Sequence, residues 1–271
     1  MSTTTILHHT TTFLHQTLSQ PDHRHRIFTL LLTTLSPPLH PIITHLNLAQ
    51  QTLENAITTT NSSLKSSSLR LSETLLLSHP KTPVSSFLLS LIYTLCDKHV
   101  EACISLLELF ESHPSIARTE VAPQVFEEMF LVHFVPVLEW YNEKRLRIVS
   151  SLSSNDNGQD NDDDESEENS VVVDSGVSCV NLLSKMNGDQ ALELKELERD
   201  YEEVLDENCR VFVEYFKEVL ENKDGDRVID PPDVVLEAVR KGGKDECIQD
   251  GKGLSAEFGS ENGRYNVMFV F

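Results

Sequence analysis

The first 150 residues repeat apolar side chains at intervals of three and four, the spacing of one buried face of an α-helix. No sustained alternation with a period of two indicates a β-strand in this part of the chain. Prolines end or open several of these series, because proline cannot continue a helix but fits its first turn. The pattern predicts helices over residues 27–35, 42–57, 69–77, 87–95 and 100–110.

Helices of this length, joined by short turns that carry Pro or Ser, favour antiparallel hairpins packed side by side. The sequence shows no strict period, so a consensus repeat is not indicated. The predicted fold class is therefore all-α, an irregular armadillo-like or helical-repeat stack of antiparallel helices.

An acidic segment interrupts the apolar pattern after residue 150. Residues 155–169 contain no apolar side chain, and like charges at this density cannot offset the entropy of ordering. Helical spacing resumes over residues 190–221, eight or nine turns at about 1.5 Å per residue. We therefore predict a disordered acidic loop over residues 150–180, inserted within one helical domain of residues 23–222.

The two ends of the chain give weaker signals. Residues 1–22 are rich in Thr and His, and fit a weakly ordered N-terminus or first helix better than an Arg-rich organelle transit peptide. In residues 223–271, Pro231 and Pro232 open a short helix that Gly242 and Gly243 end. The remaining tail, which includes a strand-like apolar run over residues 265–271, is expected to be poorly ordered.

The formal net charge of −21 is unevenly distributed along the chain. Residues 1–100 contain four acids and six Lys or Arg, about +2, which leaves about −23 for residues 101–271. Such acidity opposes binding to nucleic acids and anionic membranes. The five cysteines are widely spaced, which favours reduced thiols and a cytoplasmic or nuclear location. No apolar run reaches the roughly 18–20 residues of a membrane helix, so we expect no membrane span.

No motif in the sequence predicts catalysis, a cofactor or a metal site. All eleven histidines lie at or before His133, but none of their spacings supplies the four converging ligands of a zinc site. The acidic segment lacks the Gly and Glu positions of an EF-hand, and phosphate-binding and nucleophile-elbow motifs are absent. We expect no catalytic, cofactor-binding or metal-binding residues.

Trp140 and Tyr141 admit two interpretations. Large aromatic residues are enriched at protein interfaces, where they anchor a partner. The neighbouring apolar residues Val137, Leu138, Leu146 and Val149 would instead draw them into the core, and that interpretation is favoured because large aromatic side chains mostly serve packing.

Two blocks of residues resemble the N-terminal helical region of the plant LIN or CERBERUS family of E3 ubiquitin ligases. The first block contains Phe110, Pro114, Arg118, Ala122, Pro123, Phe130, Leu131, His133, Trp140, Tyr141 and Arg145. The second contains Leu197, Glu198, Tyr201, Leu205, Glu207, Asn208 and Tyr215. One departure is Phe126, at a position where the family pattern has Trp.

The resemblance implies a non-catalytic protein-interaction module linked to the ubiquitin pathway. Family members continue with a U-box and WD40 repeats, and neither is recognisable in this sequence, where Trp140 is the only Trp. The chain is thus expected to be a stand-alone relative or an incomplete gene product. The alternative is that it acts as part of an E3 ligase assembly; its partners would be a U-box-bearing relative or a ligase substrate.

Overall fold

A computed structural model describes residues 1–35, 40–154, 188–222 and 228–232. Every regular element in these ranges is a helix, which confirms the predicted all-α fold. The first six helices are α1 (Thr3–Ser19), α2 (Pro21–Thr33), α3 (His40–Thr58), α4 (Ser62–Leu77), α5 (Pro83–Leu95) and α6 (His99–Ser112). These helices contain all of the apolar series predicted from the sequence, apart from residues 34 and 35: 27–35, 42–57, 69–77, 87–95 and 100–110.

Local chemistry explains where several of these helices begin. Pro21 and Pro83 occupy the first turns of α2 and α5, where a missing N–H costs no hydrogen bond. Thr82 and Ser85 form a reciprocal capping box at the start of α5. The Asn61 side chain accepts hydrogen bonds from two backbone N–H groups in the first turn of α4.

The second part of the molecule consists of two short Pro-initiated turns and two long helices. The short helices α7 (Pro114–Ile116) and α8 (Pro123–Val125) each continue into a π-helical turn, Ala117–Val121 and Phe126–Phe130. Two long helices follow, α9 (Leu131–Ser154) and α10 (Gly188–Glu221). The stretches Pro114–Val121 and Pro123–Ser150 meet at a bend of 108°.

Helix α5 lies at the centre of the core, and eleven of its thirteen residues are buried. It forms an antiparallel hairpin with α6, and α3 forms another with α4, since the connections between these packed neighbours are short. Helix α1 packs on α5 and α6, and the C-terminal half of α10 covers α6. These contacts produce one main core that includes both ends of the described chain.

The structure describes both borders of the first helical part. For residues 1–22 the sequence left open a weakly ordered N-terminus or a first helix; residues 3–19 form α1, which buries Ile6, Phe13 and Leu14 because its apolar face has the spacing that fits the core. The acidic loop does not begin at residue 150, since α9 continues as a helix to Ser154. The rest of the predicted loop, the proline pair 37–38 and the predicted helix and tail after Pro232 lie outside the described residues.

In the described ranges no single helix has the length and apolar character needed to cross a membrane. By length and composition alone, the bent pair Pro114–Val121 and Pro123–Ser150 meets that criterion.

Candidate functional site

Residues 113–130 contain the same local structure twice in succession. His113 and Ala122 have almost the same backbone conformation, φ −139° and ψ 66° for the first and φ −138° and ψ 56° for the second. Each precedes a proline, since the residue before proline is held out of the helical region. Three α-helical residues and five π-helical residues then follow in both copies. π-Helical turns are frequent at functional sites, which makes this tandem turn a candidate.

Helix α10 packs along the tandem turn and α9, and this contact brings together the two blocks that resemble the LIN family. We call the contact between residues 113–148 and α10 the seam. Its inner end is aromatic: the Phe130 ring lies 4.9 Å from that of Phe110 and 5.1 Å from that of Phe216. Because all three side chains are fully buried, this end of the seam belongs to the core.

His133 occupies the next position along the seam and stacks on Phe212, with the ring centres 4.5 Å apart. Burial lowers the pKa of its imidazole, and the N-terminal ammonium group acts in the same direction. Its Nε2 atom has no hydrogen-bond partner among the described residues. The stack on Phe212 makes His133 a packing residue, and the lowered pKa favours its neutral imidazole.

Arg118 and Asp206 form a charged contact across the seam. The Nη1 atom of Arg118 donates a hydrogen bond of 2.7 Å to Oδ1 of Asp206, and the Arg118 side chain is almost completely buried. Burial raises the pKa of Asp206 although the guanidinium acts in the opposite direction. The sequence identified Arg118 but not its partner Asp206.

Two aromatic side chains form the outer end of the seam. Tyr141 on α9 stacks on Tyr201 on α10 with ring centres 4.2 Å apart, and burial raises the pKa of Tyr201 to about 12. Trp140 is half-buried between the main core and a small cluster formed by Ile148, Leu194 and Leu197. Packing therefore holds Trp140 in place, while Leu146, one of the apolar neighbours expected to draw Trp140 inward, is itself 61% exposed.

The remaining predicted residues occupy varied positions. Pro114 is buried, Pro123 is exposed and Arg145 is half-buried. Asn208 is buried, and its Nδ2 atom has no hydrogen-bond partner among the described residues. The Tyr215 hydroxyl accepts a hydrogen bond of 3.0 Å from the Met1 ammonium group, which ties the N-terminus to α10.

A pocket of about 100 Å³ opens where the tandem turn meets α10. Its lining residues are Arg118, Thr119, Pro123, Phe126, Glu127, Tyr201, Glu202 and Leu205. Four of them, Arg118, Pro123, Tyr201 and Leu205, are predicted family residues, and Phe126 is the departure from the family pattern. Thr119, Glu127 and Glu202 were not predicted. In the sequence, an acidic residue that lines a pocket looks the same as an acidic residue on an ordinary solvated helix face.

The described residues include His, Cys, Asp and Glu, the side chains that ligate metals, and three free thiols. They contain no group of three or more His, Cys, Asp or Glu side chains placed to hold a metal ion. Burial raises the pKa of the Cys103 thiol to about 11 and that of Cys209 to about 12. Burial also raises the pKa of Cys96. Since the thiolate is the reactive form, these three cysteines are poor nucleophiles.

Comparison with known proteins identifies the relatives of this chain. The family described as "E3 ubiquitin-protein ligase LIN-like, ARM repeat" matches residues 3–236. Two Lotus japonicus proteins, named "Putative E3 ubiquitin-protein ligase LIN-1" and "LIN-2", are each 27% identical over 195 residues. A Medicago truncatula protein, named "Putative E3 ubiquitin-protein ligase LIN", is 27% identical over 124 residues.

These matches cover only a small part of each relative. The match covers 66% of this chain and 12% of each Lotus japonicus protein, and 45% of this chain and 8% of the Medicago truncatula protein. No solved structure matches the chain.

Proposed function

Since the chain belongs to the LIN-like ARM-repeat family of E3 ubiquitin-protein ligases, we propose that it is a protein-interaction module of the ubiquitin pathway without catalytic activity of its own. One observation carries this proposal: the two blocks of family residues, about 80 positions apart, meet along the seam. The seam holds the helices together as one stack; such stacks present extended outer surfaces, and helical-repeat proteins use those surfaces to bind other proteins.

The chemistry of the described residues supports a role in binding. A ligase that carries ubiquitin as a thioester needs a reactive thiolate, which the raised pKa values of Cys96, Cys103 and Cys209 disfavour. The part of the relatives that this chain matches is an ARM-repeat region, and such a stack supplies surface.

Other properties narrow the class of partner and the location. The net charge of about −23 in residues 101–271 disfavours nucleic acids and anionic membranes, so the proposed partners are proteins. Buried, unpaired thiols at Cys103 and Cys209 fit a reducing compartment, the cytoplasm or the nucleus.

A second candidate function is participation in an E3 ligase assembly. It is supported by the names of the Lotus japonicus relatives, each of which is a putative E3 ubiquitin-protein ligase. In such an assembly a U-box-bearing relative would supply the chemistry, while this chain would bind that relative or its substrate.

Affinity capture from plant tissue tests the proposal and separates the two candidates. The full chain, tagged and used as bait, is expected to retain a reproducible set of proteins that an unrelated acidic helical protein does not retain. Consistent recovery of a U-box-bearing relative would favour the assembly. Recovery of the same proteins by both baits would contradict an interaction role.

A further inference from the structure

We propose that the pocket between the tandem turn and α10 binds a peptide segment that inserts one apolar side chain next to a Lys or Arg. This inference deepens the proposed interaction function and rests on it.

The pocket fits one side chain. Two apolar lining residues, Phe126 and Leu205, are only 3% and 4% exposed, so the surrounding core fixes them in place. Tyr201 also lines the pocket, and its stacking on Tyr141 holds the ring in position. A volume of about 100 Å³ suits a single aliphatic side chain. Because these walls are already ordered, little conformational entropy is lost when the pocket is filled.

The rim of the pocket is negatively charged. Its one positive residue, Arg118, is neutralised by Asp206 at 2.7 Å. Glu127 and Glu202 are both exposed, and neither has an ion pair among the described residues. Two free carboxylates beside an apolar opening attract a cationic side chain and repel an acidic or phosphorylated one. The occupant with matching chemistry is therefore an apolar residue with a basic neighbour.

Binding of short fluorescein-labelled peptides to the full chain, measured by fluorescence anisotropy, tests this inference. Three heptapeptides with the central sequences Lys-Leu-Lys, Lys-Ala-Lys and Glu-Leu-Glu are compared. The Lys-Leu-Lys peptide is expected to bind at least about tenfold more tightly than each of the others, because only it supplies both the apolar group and the positive charge.

Substitutions at the rim provide the matched comparison. The double variant Glu127→Gln, Glu202→Gln should weaken binding of the Lys-Leu-Lys peptide by about five- to tenfold. The double variant Glu193→Gln, Glu196→Gln removes the same charge from exposed positions of α10 outside the pocket, and should bind as the unmodified chain does.

Several results would overturn the inference. Equal affinity for the Leu and Ala peptides would show that no apolar side chain enters the pocket. Equal weakening of Lys-Leu-Lys binding by both double variants would show that the peptide is held only by the general negative charge of the protein. Absence of binding by any peptide would also contradict it.

Two further measurements test other occupants. A dimer in sedimentation that the Glu127→Gln, Glu202→Gln variant dissociates would assign the pocket to a second copy of the chain. Tighter peptide binding by an Arg264→Ala, Tyr265→Ala variant would assign it to the chain's own C-terminal residues.

The two levels of the proposal can fail separately. If affinity capture yields the same specific proteins with the Glu127→Gln, Glu202→Gln variant as with the unmodified bait, the interaction function stands and this pocket is not its site. If capture yields no specific protein while the Lys-Leu-Lys peptide binds as expected, the pocket is a binding site and the proposed pathway role is wrong.

Discussion

Trp140 shows how one side chain joins two parts of the molecule. It packs against the main core on one side and against the cluster of Ile148, Leu194 and Leu197 on the other. Its Nε1 atom is buried and has no hydrogen-bond partner among the described residues, while the Lys144 ammonium lies 5.6 Å from the ring centre. The contacts favour a structural role over a freely exposed docking anchor.

Replacement of Trp140 by Ala should therefore lower the free energy of unfolding by about 2–4 kcal/mol, below the upper values for a fully buried Trp because the ring is half-exposed. Urea denaturation followed by circular dichroism measures this change. Val132→Ala, which truncates a side chain that is 63% exposed, is the control and should cost less than about 0.5 kcal/mol. A similarly small effect for Trp140→Ala would contradict the core interpretation and favour the alternative, that Trp140 anchors a partner.

The His133 imidazole should make stability depend on pH. Burial lowers its pKa in the folded protein below the ordinary value of 6.5, so folding favours the neutral form. The resulting stabilisation is present above pH 6.5 and is lost as the pH falls from 6.5 through the lower folded pKa.

Thermal unfolding at a series of pH values measures this loss. His133→Phe keeps the stack on Phe212 but cannot titrate, so its melting temperature should fall less between pH 7.5 and 5.5 than that of the unmodified chain. His25→Phe changes an exposed histidine on α2 and serves as the control. An unchanged pH dependence in His133→Phe would show that this imidazole contributes nothing to it.

At the scale of elements, the outer parts of α9 and α10 form a unit of their own. Ile148, Leu194 and Leu197 make a small hydrophobic cluster separate from the main core. A helix pair with so few buried contacts should open locally at a lower free energy than the core helices.

The double variant Leu194→Ala, Leu197→Ala should therefore loosen this helix pair while the core stays folded. Hydrogen exchange measured by mass spectrometry should become faster in residues 141–154 and 188–200, with little change in α5 and α6. Leu192→Ala, at a residue that is 57% exposed, is the matched control. Equal loss of protection in α5 would show that the outer helices unfold together with the core.

The sequence predicted the long helices well, because each buries one continuous face. The series 42–57 corresponds to α3 and the series 190–221 to α10, with ends that differ by only a few residues. The tandem turn was not predicted, because π-helical turns have no apolar period that separates them from an α-helix. The pocket was also missed, since it depends on the 108° bend and on contacts with α10 about 80 residues away.

At the scale of the whole molecule, the charge is divided unevenly: residues 1–100 are near neutral and residues 101–271 are strongly acidic. About a third of that charge, eight acids without a Lys or Arg, lies in residues 155–169, which contain no apolar side chain that could contribute to the core. Deletion of these residues should change the free energy of unfolding by less than about 0.5 kcal/mol. Urea denaturation measures this change, and a large loss of helicity would mean that the segment supports the fold.

The central claim is that this chain binds proteins and leaves ubiquitin transfer to others. The most direct test mixes the purified full chain with ubiquitin, ATP, an activating enzyme and a panel of conjugating enzymes, beside an active U-box ligase as the positive control. We predict that the chain adds nothing to the background of the conjugating enzymes alone. Robust formation of ubiquitin chains that depends on this protein would contradict the account.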